Sequence, residues 1–182
     1  MSALAYHFIG GVLKHVKPLL ALTAASINSY KRLVPCHWAS AYSCYGIENR
    51  EGAIRVPMQF IKREMESTNL EMKFVDGTSN PYLAVGSVLA AGMDGIEKKI
   101  EPPEPCQANP YELSEGEKKK MGIERYPETF KDAIDELDKD DFFRKVWEKL
   151  LIDEYIKTKR FAWESYFQQV TEWERRRYLE AF

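Results

Sequence analysis

Glu71 and Lys73 stand two residues apart in the stretch from Asn69 to Val75, where Leu70, Met72 and Phe74 alternate with polar side chains. Residues two apart on a strand project from the same face, so a carboxylate and an ammonium lie side by side. Such a pair is either an ion pair on the sheet surface or part of a site. In a site the carboxylate holds a hard divalent cation and the ammonium meets an anionic substrate. One carboxylate does not complete a magnesium centre; further oxygens or a histidine are needed. Arg32, Arg50 and Arg55 add three guanidinium groups, whose planar forks suit phosphates and carboxylates. The competing reading at each is a surface arginine without a ligand. Arg50 and Arg55 are five apart, so an unbroken strand points them to opposite faces, and a turn or bulge at Gly52 is expected if both serve one ligand.

The elements that must carry these groups follow from periodicity. Leu4, Phe8, Ile9, Val12, Leu13 and Val16 recur at helical steps, which predicts an opening helix that Pro18 ends or kinks near Lys17. Gly10-Gly11 inside it predicts close packing on a neighbour. Residues 38–45, 53–56 and 69–75 read as strands. Asn80-Pro81 starts a strongly apolar helix running to about Ile100. Residues 101–127 hold Pro102, Pro103, Pro105 and Pro110 among charges and read as an extended surface connection. Helices resume at Glu128 to about Leu137, around Leu150 to Val170, and at Glu172 to Leu179. The predicted class is α+β, with antiparallel strands between about 38 and 75 packed by helices and a helical C-terminal third.

Composition removes several functions. The 26 basic and 28 acidic residues give a charge of −2, without the basic excess of a nucleic-acid module. Lys118-Lys119-Lys120 and Arg175-Arg176-Arg177 read as solvated faces. Three cysteines are too few for a disulfide framework and suit a cytoplasmic setting. His7, His15 and His37 show no metal spacing and read as structural or surface groups. No apolar run is long enough for a membrane span, and no secretory signal is expected.

Several phrases, in order, resemble the C-terminal part of the glutamine synthetase catalytic domain. They are Asn28-Ser29-Tyr30-Lys31-Arg32-Leu33-Val34-Pro35, Glu48-Asn49-Arg50 with Arg55, Leu70-Glu71-Met72-Lys73-Phe74, and Asn80-Pro81-Tyr82-Leu83. The likeness extends from Phe8-Ile9-Gly10-Gly11 through Ala90-Ala91-Gly92-Met93-Asp94-Gly95 to Arg177-Tyr178-Leu179-Glu180. It implies an ATP- and Mg2+- (or Mn2+-) dependent ligase that phosphorylates the glutamate side chain and displaces the phosphate with ammonia or an amine. On this resemblance Arg32 and Lys73 bind glutamate, Arg50 and Arg55 hold ATP phosphates with Arg50 catalytic, and Glu71 is a metal ligand. Lys73 stands where the family usually has an arginine. Trp38 replaces a glutamate that deprotonates ammonium, and an indole cannot accept that proton. This resembles the γ-glutamylpolyamine synthetase and glutamine synthetase-like branch, with Trp38 lining an amine pocket. The segment after Arg55 is longer than usual, leaving Lys62 and Arg63 as candidates for a phosphate contact. The resemblance further implies that residues 1–182 are the C-terminal portion of a larger catalytic domain. Its strands are expected to expose unpaired edges, and the chain alone is expected to be inactive and to associate. The complete protein is expected to form a homo-oligomeric ring, with Trp173, Tyr178, Leu179 and Phe182 as a docking tail. A non-catalytic scaffold or regulatory relative is the alternative.

Overall fold

The computed structural model describes every residue except Trp38 and Phe182. Ser2 caps α1 (Ala3–Lys14) by accepting from the Ala5 amide, and α2 (Val16–Thr23) follows after a break at His15. The sequence puts that break near Lys17; it falls earlier because Pro18 has no N–H to offer the Lys14 carbonyl. Pro18 therefore sits in the first turn of α2, where a missing donor costs little. Ser26 caps α3 (Ile27–Arg32), a short helix that the sequence reading did not anticipate.

A three-stranded sheet in the order β1-β2-β3 is built from β1 (Tyr42–Ile47), β2 (Gly52–Val56) and β3 (Glu71–Met72). β2 and β3 are antiparallel, as expected, but β1 and β2 are parallel, which corrects the wholly antiparallel expectation. Four residues join this parallel pair because the chain turns back along β1 at once. A Cβ on Gly46 would lie 2.6 Å from the Asn49 Cβ, so only glycine admits the return. The register slips between Tyr42 and Tyr45, so the irregularity expected at Gly52 lies in the strand opposite it.

The outer side of β1 is not a bare edge. Ser43 N donates to Glu124 O at 2.8 Å, Cys106 N to Tyr45 O at 2.8 Å, and Tyr126 N to Ala41 O at 2.9 Å. The expectation of unpaired strands is corrected there. β3 is shorter than the predicted 69–75 because Arg32 claims the Lys73 and Phe74 carbonyls.

Between β2 and β3 lies α4 (Glu64–Ser67). Asn80 caps α5 (Pro81–Lys98), its side-chain oxygen accepting from the Tyr82 and Leu83 amides. Residues 101–127, read as extended, contain α6 (Glu115–Lys120), set by the reciprocal Ser114–Glu117 capping box. The C-terminal third is helical as expected, with α7 (Phe130–Lys139), α9 (Lys149–Phe167) and α10 (Glu172–Tyr178), and it adds the short α8 (Asp141–Val146), which the sequence reading did not include. α1 lies on α5, α2 on α7, and α7 on α9. Leu19, Leu20, Ile54, Phe74, Ile134 and Phe143 are fully buried in the continuous core between them and the sheet. Among the described residues no helix is long and apolar enough to cross a membrane.

Candidate active site

β2 and β3 put Arg55 opposite Glu71 in register, and the side chains meet. Arg55 Nη1 donates to Glu71 Oε2 at 3.0 Å, and Nη2 donates to Glu48 Oε2 at 3.0 Å. Lys73, on the same face as Glu71, donates from Nζ to Glu71 Oε1 at 3.4 Å. Leu70, Met72 and Phe74 pack toward the core, so the alternation read from the sequence orients both charged groups outward. The result is a row of alternating charge: Glu48, Arg55, Glu71, Lys73.

Arg32 stands behind the same segment. It donates to the Lys73 and Phe74 carbonyls at 3.3 and 3.4 Å and faces Asp76 at 3.5 Å. α3 delivers it there because Tyr30 and Leu33 are buried beside it. Arg32 thus pins the backbone that carries Glu71 and Lys73. The Nε atoms of both Arg32 and Arg55 are buried without a partner.

The charges hold each other ionised. Donating hydrogen bonds to Glu48 and then to Glu71 raises the Arg55 guanidinium above its ordinary value. Burial pushes the Glu71 carboxyl up, but Arg55 and Lys73 outweigh it and the net shift is downward. Burial likewise opposes ionisation of Asp76, and the Thr78 and Ser29 hydroxyls with Arg32 hold it low.

Arg50 rides the exposed turn between β1 and β2. Asn49 braces that turn: its amide donates to Cys106 O at 2.8 Å and Ala108 O at 3.0 Å, while its oxygen accepts from Glu51 N at 3.0 Å. Of the two basic candidates beyond Arg55, Arg63 pairs with Glu66 at 2.6 Å at the exposed start of α4, and the Lys62 amide donates to Glu64. Neither side chain joins the charged row. Trp38 lies outside the described residues. The sequence reading missed Glu48, Asn49 and Asp76 as members of the site. Glu48 and Asn49 lie inside a quoted phrase, so their position was visible though their role was not.

The site is a wall rather than an enclosed pocket. Arg55 is 21% exposed and Glu71 41%. A cavity of about 670 Å3 lies elsewhere, lined by Tyr42, Tyr111, Lys118 and Arg125 among others, and by none of the predicted site residues. Among the described residues no three His, Cys, Asp or Glu side chains gather to hold a metal. Glu71 alone, bracketed by two cations, does not make a metal centre. The histidines are structural or at the surface: His15 Nε2 meets buried Asp94 at 2.9 Å, His7 faces Glu101, and His37 Nδ1 contacts Pro35 O. Cys36, Cys44 and Cys106 are free thiols.

A family profile described as "Glutamine synthetase, catalytic domain" matches residues 1–178. The chain is 40% identical over 180 residues to a glutamine synthetase of Archaeoglobus fulgidus, covering 99% of this chain and 36% of that protein. It is 38% identical over 188 residues to a glutamate–methylamine ligase of Methyloversatilis universalis, covering 100% of this chain and 40% of the relative. A solved structure titled "GmaS/ADP complex-Conformation 1" superposes with a TM-score of 0.80 at 33% identity, over 99% of this chain and 40% of that one. The chain thus spans about two fifths of the length of these relatives.

Proposed function

The chain belongs to the glutamine synthetase family, and on that premise we propose that it is part of the catalytic domain of an ATP-dependent glutamate–amine ligase. In this reading the γ-phosphoryl group of ATP passes to the glutamate side-chain carboxylate, and ADP is released. The nitrogen of ammonia or an organic amine then attacks the acyl carbon and gives up a proton, inorganic phosphate leaves with the electron pair of the broken acyl C–O bond, and an amide remains. The observation that carries the reading is the Arg55–Glu71–Lys73 row on β2, β3 and the turn that follows it, with Arg32 behind it.

Phosphoryl transfer depends mostly on positioning and charge neutralisation. Arg55, held ionised by two carboxylates, would exchange one of them for an ATP phosphate, and Arg50 on the neighbouring turn would meet the group in transfer. Lys73, set beside Glu71, and Arg32 would face the carboxylates of glutamate. Glu71 would give one oxygen to a divalent cation (Mg2+ or Mn2+), which when bound neutralises the polyphosphate. Both the ammonia and the amine ligases similar to this chain are compatible with that machinery. Trp38 brings an apolar indole where the family has a proton-accepting glutamate, and as the lining of a pocket for an organic substituent it favours an organic amine.

The test is phosphate release by the full-length protein given glutamate, ATP and Mg2+, with ammonium, methylamine, ethanolamine or putrescine offered in turn. Glutamate-dependent release that rises with one of these amines supports the ligase. ATP binding without any amine-dependent release, or no ATP binding at all, returns the protein to the non-catalytic scaffold.

A further inference from the structure

Two irregular features meet at the Arg55 guanidinium. Glu48 has φ +58°, a left-handed backbone that glycine or asparagine ordinarily fills. The Arg55 Nε is buried without a partner. The Glu48 amide donates to Val56 O at 2.9 Å, which fixes the turn against the end of β2. Its carboxylate reaches back to Arg55 Nη2 at 3.0 Å. Glycine would suit the backbone better, so what glutamate contributes here is its side chain.

Guanidinium and carboxylate groups prefer a two-point, parallel pairing. Arg55 and Glu71 face each other in register, yet they share a single contact, Nη1 to Oε2. The second Nη is occupied by Glu48, and Glu71 Oε1 is left toward Lys73. We propose that Glu48 is a positioning residue: it holds Arg55 apart from a closed two-point pair with Glu71, so that the guanidinium stays aimed at the substrate phosphate. Without it, Arg55 rotates onto Glu71 and both groups are withdrawn from the reacting centre. The left-handed backbone at Glu48 and the unpartnered Nε are then the local cost of that orientation.

This proposal rests on the ligase reading, and two variants of the full-length protein separate the two. Glu48→Gly removes the carboxylate and suits the left-handed backbone; Glu48→Gln keeps an acceptor oxygen of the same reach. The expected result for Glu48→Gly is kcat lower by roughly 10- to 100-fold with the KM for ATP changed less than about threefold. Its Tm is expected to be unchanged or raised by about 2–4 °C. Glu48→Gln is expected to keep an intermediate kcat. A Glu48→Gly protein within about twofold of wild-type kcat overturns the positioning role while leaving the ligase intact. So does a Glu48→Gly protein whose activity loss tracks a lowered Tm, since that marks a merely structural ion pair. Wild-type protein without amine-dependent turnover removes the ligase reading and this proposal together.

Discussion

Arg55 divides its two Nη groups between two carboxylates, and a lysine cannot make that division with a planar fork. Arg55→Lys in the full-length protein is expected to lower kcat/KM for ATP by about 10²–10³-fold, the range for losing one preorganised donor. Steady-state kinetics check this, and a variant within threefold of wild type removes Arg55 from phosphate binding. Asp94 shows the same electrostatics in a structural setting. It is 7% exposed, accepts from His15 Nε2 and Lys98, and lies 3.6 Å from Lys14. Burial pushes its carboxyl up, but His15 and Lys98 hold it down to about 2. A depressed carboxylate stabilises the fold above its unfolded pKa of about 3.9, and that contribution is lost as pH falls toward 2. Asp94→Asn is expected to cost roughly 2 kcal/mol at pH 7 and to flatten the acid unfolding curve between about pH 4 and 2, read by circular dichroism. At this scale the sequence disclosed Glu71 beside Lys73 because a period of two is a local rule. It did not disclose Glu48 or Asp76, whose roles depend on what β2 and α3 bring across.

At the scale of elements, the packing of α1 on α5 is set by facing glycines. A Cβ on Gly11 would run into the Ala91 carbonyl and stand 2.6 Å from Gly95 N, and one on Gly95 would strike the His7 carbonyl. Backbone cannot yield as a side-chain tip can, so the helices must separate. Gly11→Ala and Gly95→Ala are each expected to destabilise the chain by about 1–3 kcal/mol, although alanine favours an isolated helix. Chemical denaturation distinguishes these opposite signs; a stabilised variant refutes the close approach. Gly10-Gly11 did announce this contact, since two glycines inside an apolar period have little other reason to be there. The strand pairing was not legible. Alternation gives the buried face of a strand but not its direction, and parallel pairs ordinarily need a long crossover. Only the doubling back at Gly46 and Asn49 allows four residues to serve. The Ser114–Glu117 box was present in the sequence, but the preceding prolines drew the whole of 101–127 into a loop reading.

At the scale of the molecule, the surface that carries the charged wall also carries apolar residues in the open. Tyr82, Val85, Leu89 and Met93 follow one another at steps of three and four along α5, and all four are exposed. Met58, Phe60, Ile61 and Met65 are exposed on the stretch between β2 and β3. A helix with apolar groups on both sides is a helix built to be covered on both, and α5 already has α1 on one of them. Continuous exposed apolar surface of this kind promotes association. The 182-residue chain on its own is therefore expected to sediment as concentration-dependent oligomers, weakening as temperature falls with the hydrophobic drive. Val85→Glu with Leu89→Glu should return it to a monomer with the same circular dichroism, because neither side chain is part of the buried core. A chain that sediments as a monomer before substitution would show that the α5 stripe tolerates water. If the double variant loses helix content as well as association, these side chains support the fold itself.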